Sequence, residues 1–280
     1  MSAHRLTSFF LAILTRRWYN GYWWNIRRSP KGSAPRMLKK YTETFPVLTR
    51  DCDLNGAWRP GAILQSMQEA GGAHSALLGV GRNELILRNL AWVLTRIEVE
   101  MDRYPRIGDK VTMETFPTPL RRWFFPRYFV VRDEGGAEIG RAASLWVLLD
   151  LTSRRMVQPG EVAALMPDNS DLPAPLGLPA PVTEVGGTLL AEDWYPRYTD
   201  MDANVHVNTT RYIDWACDAL GIDAMRESEL ARFTITYTQE IRPGQKVHTE
   251  LHRLGNDFSY SGFVDGDRHF DLGGRLRPRG

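Results

Sequence analysis

Residues 51–55 (DCDLN) and residues 200–204 (DMDAN) are two closely similar motifs 149 positions apart, and they decide how this chain folds. The same offset pairs further positions along the chain: Glu43 with Glu192, Phe45 with Trp194, and Ala70 with Ala219. Similarity at one fixed offset indicates a structural unit that occurs twice. We therefore predict an internal duplication.

The pattern of apolar residues after each motif follows the same order in both halves. Helical spacing predicts one helix over residues 60–78 and a second over residues 209–225. Alternating segments predict strands over residues 91–101, 111–116, 124–132 and 138–150, then over 233–241, 247–251, 258–264 and from 269 onward. A helix followed by antiparallel strands, written twice, predicts a duplicated α+β fold.

A proline-rich segment separates the two halves. Residues 167–187 contain five prolines, which remove backbone donors and favour an extended, semi-rigid chain. We predict a linker there. It leaves a first domain over residues 37–166 and a second over residues 188–280.

Residues 1–36 form a distinct N-terminal extension. The segment holds seven Lys or Arg and no acidic residue, with several aromatic side chains among them. Three interpretations stay open: a membrane-surface segment, an organelle-targeting peptide, or an extension upstream of a protein that functionally begins near Met37. Membrane contact by residues 1–36 is thus one open prediction.

Composition narrows the class of protein. Of 280 residues, 43% are hydrophobic and 24% are charged, as in soluble globular chains. Residues after 36 hold 28 basic and 33 acidic side chains, which argues against nucleic-acid binding. Two cysteines without CxxC or Cys/His spacing predict neither a zinc site nor a disulfide framework. A reducing, cytoplasmic location is therefore expected.

The densest polar cluster follows the second motif. Asp202, Asn204 and His206 alternate, so an extended segment would point all three side chains to one side. Asn208 or Thr209 could cap the helix that follows, whose first N–H groups suit an oxyanion. Hydrolysis of an activated acyl group needs such a set and no metal.

A structural interpretation competes with this one, because polar residues before a helix are ordinary capping residues. The duplication separates the two. The first half keeps Asp53 and Asn55 but has Ala57 where the second half has His206. If only one half is catalytic, the sequence predicts that it is the second.

Residues 200–215 resemble the helix-entry motif of hotdog-fold thioesterases, and the duplicated layout resembles the acyl-[acyl carrier protein] thioesterases of bacteria and plant plastids. The resemblance extends from about Met37 to the C-terminus. It implies two tandem hotdog units forming a pseudo-dimer, each a long helix wrapped by an antiparallel sheet. It also implies an acyl chain bound in the first unit and a metal-free, cofactor-free active site in the second. The implied reaction hydrolyses the acyl thioester on acyl carrier protein and releases a free fatty acid.

The resemblance also assigns residues. Asp202, Asn204 and His206 match the catalytic Asp, Asn and His of the family, and Glu240 matches its acid in a Tyr-x-x-Glu-Cys context. Ile241 stands in the place of that cysteine, which excludes a covalent cysteine mechanism there. Whether Asp202 or Glu240 is the general base stays open.

Alternatives to this function remain. One is a thioesterase of the same fold that acts on acyl-CoA. Another is a non-catalytic acyl-binding module, in which the polar cluster only caps the helix. The chain length of the acyl group is not predicted, and either a monomer or a homodimer is compatible with the sequence.

Overall fold

The computed structural model describes residues 38–279. Strands within this range are β1 Tyr41–Pro46, β2 Leu90–Met101, β3 Lys110–Pro117, β4 Phe125–Arg132, β5 Glu138–Asp150, β6 Met156–Val157, β7 Thr188–Trp194, β8 Ser228–Tyr237, β9 Val247–Leu254, β10 Asp257–Val264 and β11 Asp267–Pro278. The helices are α1 Pro60–Leu77, α2 Arg82–Ile86, α3 Gly160–Ala164, α4 Arg211–Leu220 and α5 Ile222–Glu227. No helix in residues 38–279 has both the length and the apolar character to cross a bilayer. The predicted extension, residues 1–36, lies outside the described residues, as does its predicted membrane contact.

One antiparallel sheet carries the duplication. Its strand order is β1-β3-β4-β5-β2-β8-β11-β10-β9-β7, and the short β6 pairs with β5. Outward from the centre, each half repeats the same connectivity, with β2 and β8 as the paired central strands. Their register runs from Arg96 opposite Thr236 to Glu100 opposite Arg232. The predicted duplicated α+β fold, two tandem hotdog units paired as a pseudo-dimer, is confirmed.

The two long helices share one core with both halves of the sheet. Helix α1 packs on β1 and β3, α4 packs on β9 and β11, and the two helices contact each other. Ile63 and Met67 from α1, Ile213 from α4, and Phe129 and Phe270 from the strands are almost completely buried in one cluster. Each such side chain contributes about 1.5–3 kcal/mol of hydrophobic stabilisation. Because the core is continuous, the halves hold each other in place.

Residues 167–187 cross the other face of the sheet. Leu172 packs in a separate apolar cluster on Phe116 and Tyr128, away from the helices. Farther on, the Arg96 guanidinium donates to the Pro179 carbonyl at 3.0 Å, and the Val185 N–H donates to the Ser259 hydroxyl at 3.1 Å. The segment therefore lies across the strands of both halves. The domain boundaries at 166 and 188 stay a prediction.

Two predicted elements differ from the structure. The helix predicted over 209–225 breaks at Gly221, which has φ +91° and ends α4 before α5 begins. Glycine adopts this conformation without the steric cost that a Cβ would bring. The strand predicted over 233–241 runs over Ser228–Tyr237 instead, so Glu240 lies beyond its end.

Candidate active site

The predicted polar cluster forms a tight turn. The expectation that an extended segment would point the side chains of Asp202, Asn204 and His206 to one side was wrong. The Asp202 N–H donates to the His206 carbonyl at 2.9 Å, which closes the turn. The Asp202 carboxylate accepts the N–H groups of Asn204 at 2.8 Å and of His206 at 3.4 Å. Val205 takes a left-handed φ of +61°. Asp favours such turns because its side chain can bond the backbone two residues on.

The turn nevertheless brings its three polar side chains together. The second carboxylate oxygen of Asp202, Oδ2, accepts the Asn204 Nδ2 hydrogen at 3.2 Å. The same oxygen lies 3.4 Å from Nδ1 of His206. The side chains of Asp202 and His206 are 21% and 26% exposed, so water can reach them. The hydrogen-bond partner of Nδ1 is the Val207 carbonyl at 3.4 Å, and because a carbonyl only accepts, Nδ1 carries the proton and Nε2 is the basic nitrogen of the ring.

The start of helix α4 follows this turn directly. Neither predicted residue caps the helix, because its N-cap position is Thr210 and has no side-chain cap hydrogen bond. Asn208 instead orders the entry to the helix: its Oδ1 accepts both the N–H and the hydroxyl of Thr210 at 3.0 Å. The Thr209 carbonyl accepts the Tyr237 hydroxyl at 2.8 Å. The helix begins at Arg211, so its positive end lies close to the polar turn.

Glu240 lies beside the turn but is bound to arginines. The Val207 N–H donates to the Ile241 carbonyl at 2.8 Å, which joins the turn to the segment that holds Glu240. One carboxylate oxygen accepts Nε of Arg242 at 2.9 Å, and the other pairs with Arg154. Burial acts to raise the pKa of Glu240, but its pairs with Arg242 and Arg154 outweigh burial and hold that pKa below its ordinary value.

Tyr212 lies in the core, as its apolar position in the predicted helix indicated, and it also borders the site. It is buried on the first turn of α4. Burial raises the pKa of Tyr212, and the negative charges of Asp202 and Glu240 raise it further. Both carboxylates therefore lie near one phenol.

The first half repeats the turn without its chemistry. The Asp53 N–H donates to the Ala57 carbonyl at 2.8 Å, and the Asp53 carboxylate accepts the N–H groups of Asn55 at 2.8 Å and Ala57 at 3.0 Å. Gly56, with φ +71°, stands where the second half has Val205. Ala57 supplies no imidazole, and the second oxygen of Asp53 is paired with Arg279. The turn of the first half therefore contributes to structure, by an ion pair that links the two halves.

The fold and this turn define a class: tandem hotdog proteins in which the turn before the helix of the second unit carries Asp, Asn and His together. Residues 38–164 match the family described as acyl-ACP thioesterase N-terminal domain, and residues 188–266 match the acyl-ACP thioesterase C-terminal domain. The chain belongs to the acyl-ACP thioesterase family.

Known relatives agree with this assignment. Over 237 residues the chain is 30% identical to the chloroplastic palmitoyl-acyl carrier protein thioesterase of Arabidopsis thaliana, covering 78% of this chain and 58% of that protein. It is 25% identical over 239 residues to the chloroplastic dodecanoyl-[acyl-carrier-protein] hydrolase of Cinnamomum camphora, covering 78% and 63%. The chain thus spans about six tenths of the length of these curated relatives. The crystal structure of an acyl-ACP thioesterase from Bacteroides thetaiotaomicron is similar with a TM-score of 0.78 and 25% identity, covering 85% of this chain and 98% of that one.

Proposed function

We propose that this protein hydrolyses the acyl thioester of acyl-acyl carrier protein and releases a free fatty acid. The observation that carries the proposal is the turn of the second unit. There Oδ2 of Asp202 accepts the side-chain amide of Asn204 and lies 3.4 Å from Nδ1 of His206. The first unit has the same turn without the imidazole. Family membership supports the substrate class.

The turn suits direct attack by water. The Val207 carbonyl accepts Nδ1–H of His206, and the Asp202 carboxylate lies beside that nitrogen. Nε2 then accepts a proton from a water molecule as that water attacks the thioester carbonyl. The second amide hydrogen of Asn204 and the positive end of α4 stabilise the tetrahedral oxyanion. When the intermediate collapses, the C–S bond breaks and the imidazolium returns its proton to the thiolate. The products are a carboxylic acid and the free thiol of the carrier.

Of the two candidate carboxylates, Asp202 is the one placed to support the base. Each oxygen of Glu240 is paired with a guanidinium, which makes that carboxylate a poor proton acceptor. Asp202 in contrast faces an imidazole. Glu240 completes the site with Asp202, Asn204 and His206 from the neighbouring segment.

The acyl chain is assigned to the first unit, alongside α1. The Gln68 side chain donates to the Thr209 hydroxyl, so the middle of α1 lies next to the start of α4 and the catalytic turn. Beyond Gln68, α1 carries small residues: Gly71, Gly72, Ala73 and Ala76. Gly71 packs against the Arg127 and Phe129 side chains of the sheet, whereas Gly72 and Ala76 are exposed, so the binding of an acyl chain along α1 would need these side chains to move apart.

The cellular setting follows the same reasoning. Cys52 and Cys217 are both free thiols, which fits a reducing cytoplasm. Because β2 and β8 already pair the two units within one chain, a monomer suffices for the site. Light scattering of the purified protein distinguishes this monomer from a homodimer.

Thiol release from matched acyl-carrier-protein and acyl-CoA substrates of several chain lengths tests the function, with Asp202→Ala alongside. Turnover of the carrier-protein substrates that is lost in the variant is the expected result. Turnover of CoA substrates alone would move the function to an acyl-CoA thioesterase. A folded protein that binds acyl chains and hydrolyses neither substrate would be a non-catalytic module.

A further inference from the structure

A turn of the first unit projects an arginine into the site of the second. The Asp150 carboxylate accepts the N–H groups of Thr152 at 3.1 Å and Ser153 at 2.7 Å, and the Asn89 amide at 2.8 Å. Arg154, at the end of this turn, has a left-handed φ of +56° and donates its N–H to the Asp150 carbonyl at 2.9 Å. The position of Arg154 is therefore well determined by its own half.

The Arg154 guanidinium crosses to Glu240, 86 residues along the chain. Glu240 is only 27% exposed, while Arg154 and Arg242, its two partners, are 50% and 63% exposed. The Glu240 carboxylate thus lies between two cations. Its backbone segment also holds the catalytic turn through the Ile241 carbonyl and the Val207 N–H.

The first unit shows what happens without such a carboxylate. There the Trp58 N–H donates to the Pro105 carbonyl at 2.8 Å, as Val207 does to Ile241, so Tyr104 stands in the place of Glu240. With no acid at that position, Arg279 from the other half pairs with Asp53 itself. In the unit without an acid at that position, an arginine therefore reaches the turn aspartate, with Glu229 3.8 Å from its other terminal nitrogen.

We propose that the Arg154–Glu240 pair is a positioning device for the catalytic turn: it locks the segment behind the turn and keeps the Arg154 guanidinium off Asp202. The inference rests on the proposed function and adds a role for Glu240 that is not proton transfer. The Asp202 carboxylate thereby stays free to interact with the His206 imidazole. A guanidinium on Asp202 would compete for the oxygen that faces Nδ1 and would oppose formation of the imidazolium.

A double-variant cycle on kcat tests the device. Glu240→Gln frees Arg154 and is expected to lower kcat about a hundredfold, the scale of a 1 Å displacement in an active site. Arg154→Gln removes only the ion pair with Glu240. We expect kcat to fall about tenfold or less, within the range of coupling between contacting residues. The double variant should return to the level of Arg154→Gln, about tenfold above Glu240→Gln. Arg155→Gln, an equally charged neighbour in the same turn, is the matched control and should leave kcat unchanged.

If Glu240 were the general base, the double variant would be as inactive as Glu240→Gln, and the inference would be overturned. Equal losses in the Arg154→Gln and Arg155→Gln variants would also overturn it, because they would indicate a general effect of surface charge. Melting curves of all four variants show whether each is folded.

The NMR signals of the turn that carries the His206 imidazole give an answer that does not depend on turnover. The charged groups around this imidazole are Asp202 on its own turn, Glu240 and Arg242 on the neighbouring segment, and Arg154 from the first unit. Glu240→Gln should shift the amide signals of Asn204 and His206, whose N–H groups bond Asp202, and adding Arg154→Gln should bring those signals back. Unchanged amide signals in Glu240→Gln would refute the device. Failure of wild-type protein to hydrolyse any thioester would instead refute the proposed function.

Discussion

The two turn aspartates form a natural matched pair, and changing each to asparagine separates catalysis from structure. Asp202 and Asp53 each accept two backbone N–H groups in turns with the same bonding. Asparagine keeps an oxygen acceptor for those bonds, so both turns should persist. What differs is the second oxygen, which faces His206 in one turn and Arg279 in the other.

The expected magnitudes follow from those two partners. In Asp202→Asn, the charge that supports the imidazolium of the transition state is lost; a charged hydrogen bond contributes about 1.5–3 kcal/mol, which corresponds to a fall in kcat of about 10- to 150-fold. In Asp53→Asn, the pair with Arg279 is weakened at side chains only 19% and 14% exposed. We expect a loss of about 1.5–3 kcal/mol in the free energy of unfolding with little change in kcat.

Thiol release and urea unfolding, measured on both variants, give the comparison. Asp202→Asn should change the rate and not the unfolding midpoint, and Asp53→Asn the reverse. If the Asp202→Asn variant retained more than half of wild-type kcat, the mechanism would be refuted. A fall beyond about 10³-fold would assign proton abstraction to Asp202 itself, since loss of a general base costs about 10²–10⁴-fold.

Three further predictions test the core. Burial and a neighbouring guanidinium lower the pKa of His74 to about 4, so protons bind the unfolded chain preferentially below pH 6.5. Stability should thus fall by about 2 kcal/mol from pH 7 to pH 5, a loss that urea titrations should not find in His74→Gln. A Cβ at Gly262 would overlap the ring of buried Phe270, so Gly262→Ala should cost about 1–3 kcal/mol in thermal unfolding, whereas Gly177→Ala, in open space, should be neutral. Cys217 packs against the core and burial raises the pKa of its thiol, so Cys217→Ala should keep wild-type thiol release, and a tenfold loss would show that this thiol takes part in the reaction.

The duplication and most elements were readable from the sequence because local patterns encode them. Repeated motifs and apolar periodicity predicted strand β5 over its observed Glu138–Asp150 and a helix one residue longer than α1. The error at Gly221 came from apolar spacing that continues across a glycine. Periodicity alone does not distinguish one helix from two joined by a glycine.

The geometry of the site could be predicted less well from the sequence. Alternation of Asp202, Asn204 and His206 suggested a strand, yet the Asx bonds of Asp202 fold the same residues into a turn. Gly56, at the matching position of the first motif, was a signal for positive φ that could have revealed it. The pair between Arg154 and Glu240 could not be predicted, because it depends on how the two halves dock through β2 and β8.

The central position of the β2–β8 pair has a consequence for the nascent chain. Strand β2 ends at Met101 and β8 begins at Ser228, so about 130 residues must be translated before the partner exists, which takes about 6–26 s at ordinary rates. During that interval the first unit carries an open strand edge in the middle of its future sheet, a surface that readily pairs with other chains. The speed of the ribosome, through the time that this edge stays open, therefore sets how much nascent protein is exposed to misassembly.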